Sequence, residues 1–182
     1  MRVSVYCSSA KDIPQHSLDL AFEVGVAIGE AGWELVWGGG KASMMGKVAE
    51  GARSVGAITV GVIPESLRNI EFEDQAAHQM HVVSDMRSRK AKLEELSDAF
   101  IALPGGIGTL EEFFEIWVGR YLKFHNKPIA VCDPTGIYKP LQKALDHLAE
   151  QNFMKPGQAE LVTWCTDVPS AIRAISPKMA QR

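Results

Sequence analysis

The stretch Ala99-Phe100-Ile101-Ala102-Leu103-Pro104-Gly105-Gly106-Ile107-Gly108-Thr109-Leu110-Glu111-Glu112 decides how the rest of the chain is read. Its first five residues are continuously apolar, as in a strand buried on both faces. Three glycines in four positions then break the run. From there Leu110, Phe113, Phe114, Trp117, Val118 and Tyr121 recur at helical spacing. Buried strand, glycine turn and amphipathic helix together form the repeating unit of a parallel α/β sheet. The unit repeats outward in both directions. Strand-like runs at 3–7, 34–37, 58–63, 81–83, 129–132 and 161–165 alternate with helix-period stretches at 14–31, 42–55, 86–97, 136–151 and 168–175, beside the helix expected over 109–124. This alternation predicts a Rossmann-like, doubly wound, mostly parallel α/β sheet with helices on both faces. Residues 1–175 form one domain, and 176–182 read as a flexible C-terminal tail.

Composition sets the outer bounds. The chain has 182 residues, 46% hydrophobic and 23% charged, with a net charge of -3. A chain of this length hides roughly 70% of its unfolded surface, enough for a core without disulfides or metals. The slight acidic excess argues against nucleic acid as the main partner. No apolar run approaches the ~18 residues of a membrane span, and the start of the chain reads as a strand rather than a signal peptide. Cys7, Cys132 and Cys165 are widely spaced and lack a C-x-x-C pair, which suits reduced thiols in the cytoplasm.

Open α/β sheets bind ligands where the loops after the strands cluster. The loop Pro104–Gly108 lets backbone N–H groups approach a ligand, and the helix that follows favours an anion at its start. The loop has neither the Lys of G-x-x-x-x-G-K-[ST] nor the last Gly of G-x-G-x-x-G, where Glu111 stands. Two readings stay open: a phosphate cradle, or a tight turn in which Thr109 and Glu112 form a T-x-x-E capping box. Gly38-Gly39-Gly40, after the second strand, and Ser8 and Ser9, after the first, are compatible with ligand approach or with plain turns.

The helix opening Met86-Arg87-Ser88-Arg89-Lys90 places three cations in its first turn and a half, against the helix dipole. Arg89 and Lys90 stand three and four residues from both Met86 and Leu93, on the apolar face. An inward Arg and Lys need an anion. The bland alternative is a solvated basic face with snorkelling stems. His78 and His81 at H-x-x-H spacing, beside Glu71, Glu73 and Asp74, read better as a polar loop entering a strand than as a metal site.

Together these residues resemble the LONELY GUY family, the cytokinin-activating phosphoribohydrolases once mislabelled lysine decarboxylases. The family pattern P-G-G-x-G-T-x-x-E is met by Pro104, Gly105, Gly106, Gly108, Thr109 and Glu112. In the pattern M-H-x-R-K, Met86, Arg89 and Lys90 match, while Arg87 stands in place of His. Ile107 stands where Tyr is frequent. Further likeness lies in 97–103, Gly38-Gly39-Gly40 with Met45-Gly46, Val62-Ile63-Pro64-Glu65 and Lys127-Pro128, in the expected order along nearly the whole chain.

The resemblance implies a homodimer with its site near the subunit interface. It further implies hydrolysis of the N-glycosidic bond of N6-modified adenosine 5'-monophosphates and of AMP, giving free base and ribose 5-phosphate. Arg89 and Glu112 would be the catalytic pair. Gly105, Gly106, Gly108 and Thr109 would hold the phosphate, with Glu65, Met86, Lys90 and Glu111 also binding substrate. No metal or organic cofactor is expected, and no motif supports a pyridoxal phosphate lysine. The alternative in another class is a non-catalytic carrier of a nucleotide or phosphorylated cofactor, which would not need Arg89 and Glu112 together.

Overall fold

The computed structural model describes residues 1–177. Seven strands, β1 (Arg2–Tyr6), β2 (Glu34–Trp37), β3 (Thr59–Pro64), β4 (Gln79–Val83), β5 (Ala99–Ala102), β6 (Ile129–Cys132) and β7 (Val162–Cys165), form one sheet in the order β4-β3-β2-β1-β5-β6-β7. Every pairing between these strands is parallel. Five helices lie between strands, α1 (Gln15–Glu30), α2 (Ser43–Ser54), α3 (Met86–Leu96), α4 (Ile107–Tyr121) and α5 (Lys139–Glu150), and α6 (Val168–Ile175) follows β7; β3 and β4 are joined by a loop with a short 3-10 turn. The doubly wound α/β fold read from the alternation is therefore present, with a sheet that is parallel throughout.

The two faces of the sheet carry separate cores. On one, Leu20, Val24 and Ile28 of α1, Met44, Val48 and Ala52 of α2, and Val168, Ala171 and Ile175 of α6 pack together. On the other lie Leu93 of α3, Phe113, Ile116 and Trp117 of α4, and the partly buried Leu141 and Leu145 of α5. Strands β3, β5 and β6 are buried along their whole length, which is why they read as continuous apolar runs. The edge strand β4 is only partly buried. Its first residues, Gln79 and Met80, carry no strand-like pattern, so it begins earlier than the expected 81–83.

The chain winds from β1 outward to β4, then returns through α3 to β5 on the other side of β1. That reversal makes a switch point between the carboxyl ends of β1 and β5, the place where open α/β sheets bind ligands. The loop 103–106 and the start of α4 lie there. The expected tail falls partly on residues 178–182, which lie outside the described residues. Ser176 closes α6, its backbone N–H and side-chain hydroxyl both donating to the Ile172 carbonyl at 3.0 and 2.7 Å.

Candidate functional site

Arg89 sits in the first turn of α3 and points inward, as its place on the apolar face requires. Its side chain is only 5% exposed. The anion it needs is Glu71: Nη2 donates to Oε2 at 3.0 Å, and Nη1 lies 3.3 Å from Oε1. Nη2 also donates to the carbonyl of Gly38 at 2.8 Å. A Cβ on Gly38 would collide with that same nitrogen, so the residue after β2 has to be glycine for the guanidinium to dock. The Nε of Arg89 is buried without a hydrogen-bond partner among the described residues, which leaves one donor uncommitted at the site. Asp85 counters the cations at the start of α3 by capping it, its Oδ1 accepting from Ser88 N at 2.8 Å. The hydroxyl of Ser84 and the groups of Ser88 hold the Asp85 carboxyl down to about 2.

The glycine loop is built differently from the capping-box reading. α4 starts at Ile107 with Gly106 as its cap residue, not at Thr109. Thr109 lies buried within the first turn, packed so tightly on Gly105 that a Cβ there would collide with its Oγ1. The helix thus begins two residues early because Thr109 is spent on packing. Glu112 is released from any capping role and accepts no hydrogen bond from the described residues. A Cβ on Gly106 or Gly108 would meet nothing within 4 Å, so both glycines border open space beside the helix start. Burial raises the Glu112 carboxyl from its ordinary value to about 7; Arg89 and Lys90 pull it down, while Glu111 and Glu71 push it up. A carboxyl near neutrality beside a fixed guanidinium can exchange a proton in the physiological range.

The other expected site residues are placed unequally. Lys90 is bound to Glu111 and lies 2.8 Å from Glu115, both on α4, so this ammonium ties α3 to α4. Met86 opens α3 with its sulfur 3.7 Å from Arg89 Nη1. Arg87 and Ile107 are exposed. Glu65 lies apart in a short 3-10 turn after β3, paired with Arg68 at 3.2 Å. In its place Glu71, from the same connection, reaches Arg89. Glu71 had no periodic signal in the sequence; the only hint was an acidic cluster. The structure divides that cluster among three arginines: Glu71 to Arg89, Glu73 to Arg68 and Asp74 to Arg53. His78 Nδ1 meets the Thr59 hydroxyl at 3.0 Å. Among the described residues, no three His, Cys, Asp or Glu side chains gather to hold a metal. No described helix is long and apolar enough to cross a membrane.

An open parallel sheet with a glycine loop, a helix start and a guanidinium–carboxylate pair at its switch point defines an α/β protein built to receive a small anionic ligand. A family model described as a possible lysine decarboxylase matches residues 45–175. A Mycobacterium tuberculosis protein named cytokinin riboside 5'-monophosphate phosphoribohydrolase is 45% identical over 96% of this chain and 93% of its own. A protein of the same name from Rhodococcoides fascians is 41% identical over 95% and 88%. The chain belongs to this family, the LONELY GUY family. The molybdenum cofactor carrier protein of Chlamydomonas reinhardtii shares the fold, with a TM-score of 0.73 over 96% of this chain and 94% of that one. At 23% identity its likeness reaches the fold and no further.

Proposed function

We propose that this chain is a phosphoribohydrolase that cleaves the N-glycosidic bond of N6-modified adenosine 5'-monophosphates, and of AMP, to free base and ribose 5-phosphate. The observation that carries the reading is Glu112, a half-buried carboxyl free of hydrogen bonds from the described residues, set near neutrality beside Arg89 and one turn from the open glycines. Glycosidic cleavage passes through an oxocarbenium-like state with positive charge on the ribose. The Glu112 carboxylate stabilises that charge and orients the attacking water, accepting its proton as the new C–O bond forms; the base departs with the electron pair of the broken C–N bond and takes up a proton from solvent. Arg89, locked by Glu71 and the Gly38 carbonyl, favours the charged form of Glu112 against the burial that opposes it.

The phosphate sits against Gly106 and Gly108 at the start of α4, where free N–H groups and the helix dipole receive it. Held there, it is a remote handle that carries the anomeric carbon to Glu112, so a bare nucleoside reacts far more slowly than its monophosphate. Lys90 is kept charged by Glu111 and Glu115, the opposite of what an imine-forming lysine needs. This opposes a decarboxylase that uses it as a Schiff base. The protein works in the cytoplasm as a homodimer, with the exposed side of α4 covered by the second copy.

The test is chromatographic. Purified protein is incubated with AMP or N6-isopentenyl-AMP without added metal, and free base is quantified. Release from both monophosphates, little from the nucleosides, and none with Glu112→Gln is the expected result. Tight nucleotide binding without release would overturn the hydrolase reading in favour of a carrier.

A further inference from the structure

Tyr138 lies in the β6–α5 connection, buried, its ring edge-on to Trp164 at 6.5 Å between centroids. It is set by Asp133: Oδ2 accepts from Tyr138 N at 2.8 Å, while Oδ1 accepts from Ile137 N at 3.1 Å and from the Thr135 hydroxyl at 3.2 Å. The Tyr138 hydroxyl is 3.1 Å from the carbonyl oxygens of both Leu103 and Gly105, and its proton is shared between them. These two carbonyls bracket Pro104, which has no N–H of its own to anchor the loop.

The peptide between Gly105 and Gly106 is planar and trans, so its carbonyl and its N–H point in opposite directions. With the Gly105 carbonyl turned in toward Tyr138, the Gly106 N–H is turned out. It makes no hydrogen bond within the described residues, and the space beside Gly106 and Gly108 is open. Burial pushes the Tyr138 hydroxyl up to about 12, so it remains a donor at any working pH.

We propose that Tyr138 is a positioning residue for the phosphate: by holding the Gly105 carbonyl inward it aims the Gly106 N–H at the phosphate oxygen. The inference rests on the glycine loop being the phosphate cradle of the proposed hydrolase. Tyr138 touches no reacting atom. Freed of the hydroxyl, the Gly105–Gly106 peptide can rotate, and the nucleotide loses an aimed donor while Glu112 and Arg89 stay in place.

The experiment compares wild type, Tyr138→Phe and Ile129→Ala, the last a destabilising control in the same core but at the far end of β6 from the loop. For Tyr138→Phe, KM for AMP rises about tenfold while kcat stays within about threefold. Inhibition by ribose 5-phosphate weakens in step, and inhibition by adenine, which has no phosphate, is unchanged. Ile129→Ala lowers the melting temperature without altering either inhibitor. Equal ribose 5-phosphate inhibition in wild type and Tyr138→Phe, or equal weakening of adenine and ribose 5-phosphate, overturns the inference. A wild type that releases no base sinks the hydrolase reading instead. Calorimetric titration with AMP then still decides the role of Tyr138: a roughly tenfold weaker complex for Tyr138→Phe supports it, and equal affinity overturns it.

Discussion

Glu112 and Arg89 are linked through charge, and the link has two consequences in pH. The Glu112 carboxyl is raised in the folded protein from near 4.5 to about 7, first by burial. Below pH 4.5 both folded and unfolded chains hold its proton. Between 4.5 and 7 only the folded chain does, so this residue lowers stability as pH rises, and the loss is complete above 7. At about 1.4 kcal/mol per unit, the cost is on the order of 3 kcal/mol. Glu112→Gln therefore stabilises the protein at pH 8 and has little effect at pH 4, a contrast that urea unfolding at the two pH values reads directly. For the wild type, kcat/KM rises with pH to a plateau with a midpoint near 7, as the carboxylate forms. In Arg89→Gln the opposing charge is gone, and carbon-13 NMR finds the Glu112 midpoint moved upward; an unmoved midpoint would uncouple the pair. Gly38→Ala keeps the fold but drives a methyl into Arg89 Nη2, and kcat/KM falls about 100-fold, the scale of a reacting group misplaced by an ångström. Arg89 was legible in the sequence because helical spacing put a cation on an apolar face. Its partner Glu71 was not, since an ion pair spanning eighteen positions and anchored in an irregular loop leaves no periodic trace.

Strands and helices were legible wherever burial imposed a period. The fully buried β3, β5 and β6 read as continuous apolar runs, and α4 as a stripe. Boundaries were lost where a residue serves packing in place of its usual local role. Thr109 has the chemistry of a helix cap, yet it packs on Gly105 and leaves Gly106 as the cap of α4. The contact of α1 with α2 was similarly hidden, because it depends on the absence of side chains. A Cβ on Gly51 of α2 would collide with the Phe22 carbonyl of α1, and a Cβ on Gly25 of α1 with the Val48 carbonyl of α2. Helix propensity alone favours alanine over glycine by about 1 kcal/mol. Backbone on both sides of the contact cannot turn aside, so overpacking wins. Gly51→Ala loses about 2 kcal/mol of stability in urea unfolding, with no change in KM for AMP; a gain in stability would mean the two helices separate freely.

At the scale of the molecule, the aromatic stripe of α4 combines two surfaces that periodicity alone does not separate. Phe113 and Trp117 are buried against the sheet, while Val118 is 51% and Leu122 50% exposed on the outer side. Ile107 lies on that same outer row, three turns before Val118, and Phe124 is exposed just beyond the helix. On the same face of the sheet, α5 has no fully buried residue and leaves Leu148 open, and Phe153 is exposed just after it. Apolar exposure so concentrated on one side is costly in water and marks a surface for association. A second copy of the chain, docked across α4, would cover it in a two-fold contact. It would also bring the partner close to Glu112 and the glycine loop, which ride on the same helix. The expected outcome in light scattering is a wild-type mass twice that of the 19.9 kDa chain, reduced to the single chain by Val118→Asp, whose charge cannot enter a dry interface. With the site and the proposed contact both on α4, the monomeric variant is expected also to show a higher KM for AMP while circular dichroism stays that of the folded chain. A single-chain mass for wild type, or a Val118→Asp variant still at twice the chain mass, would remove α4 from the interface.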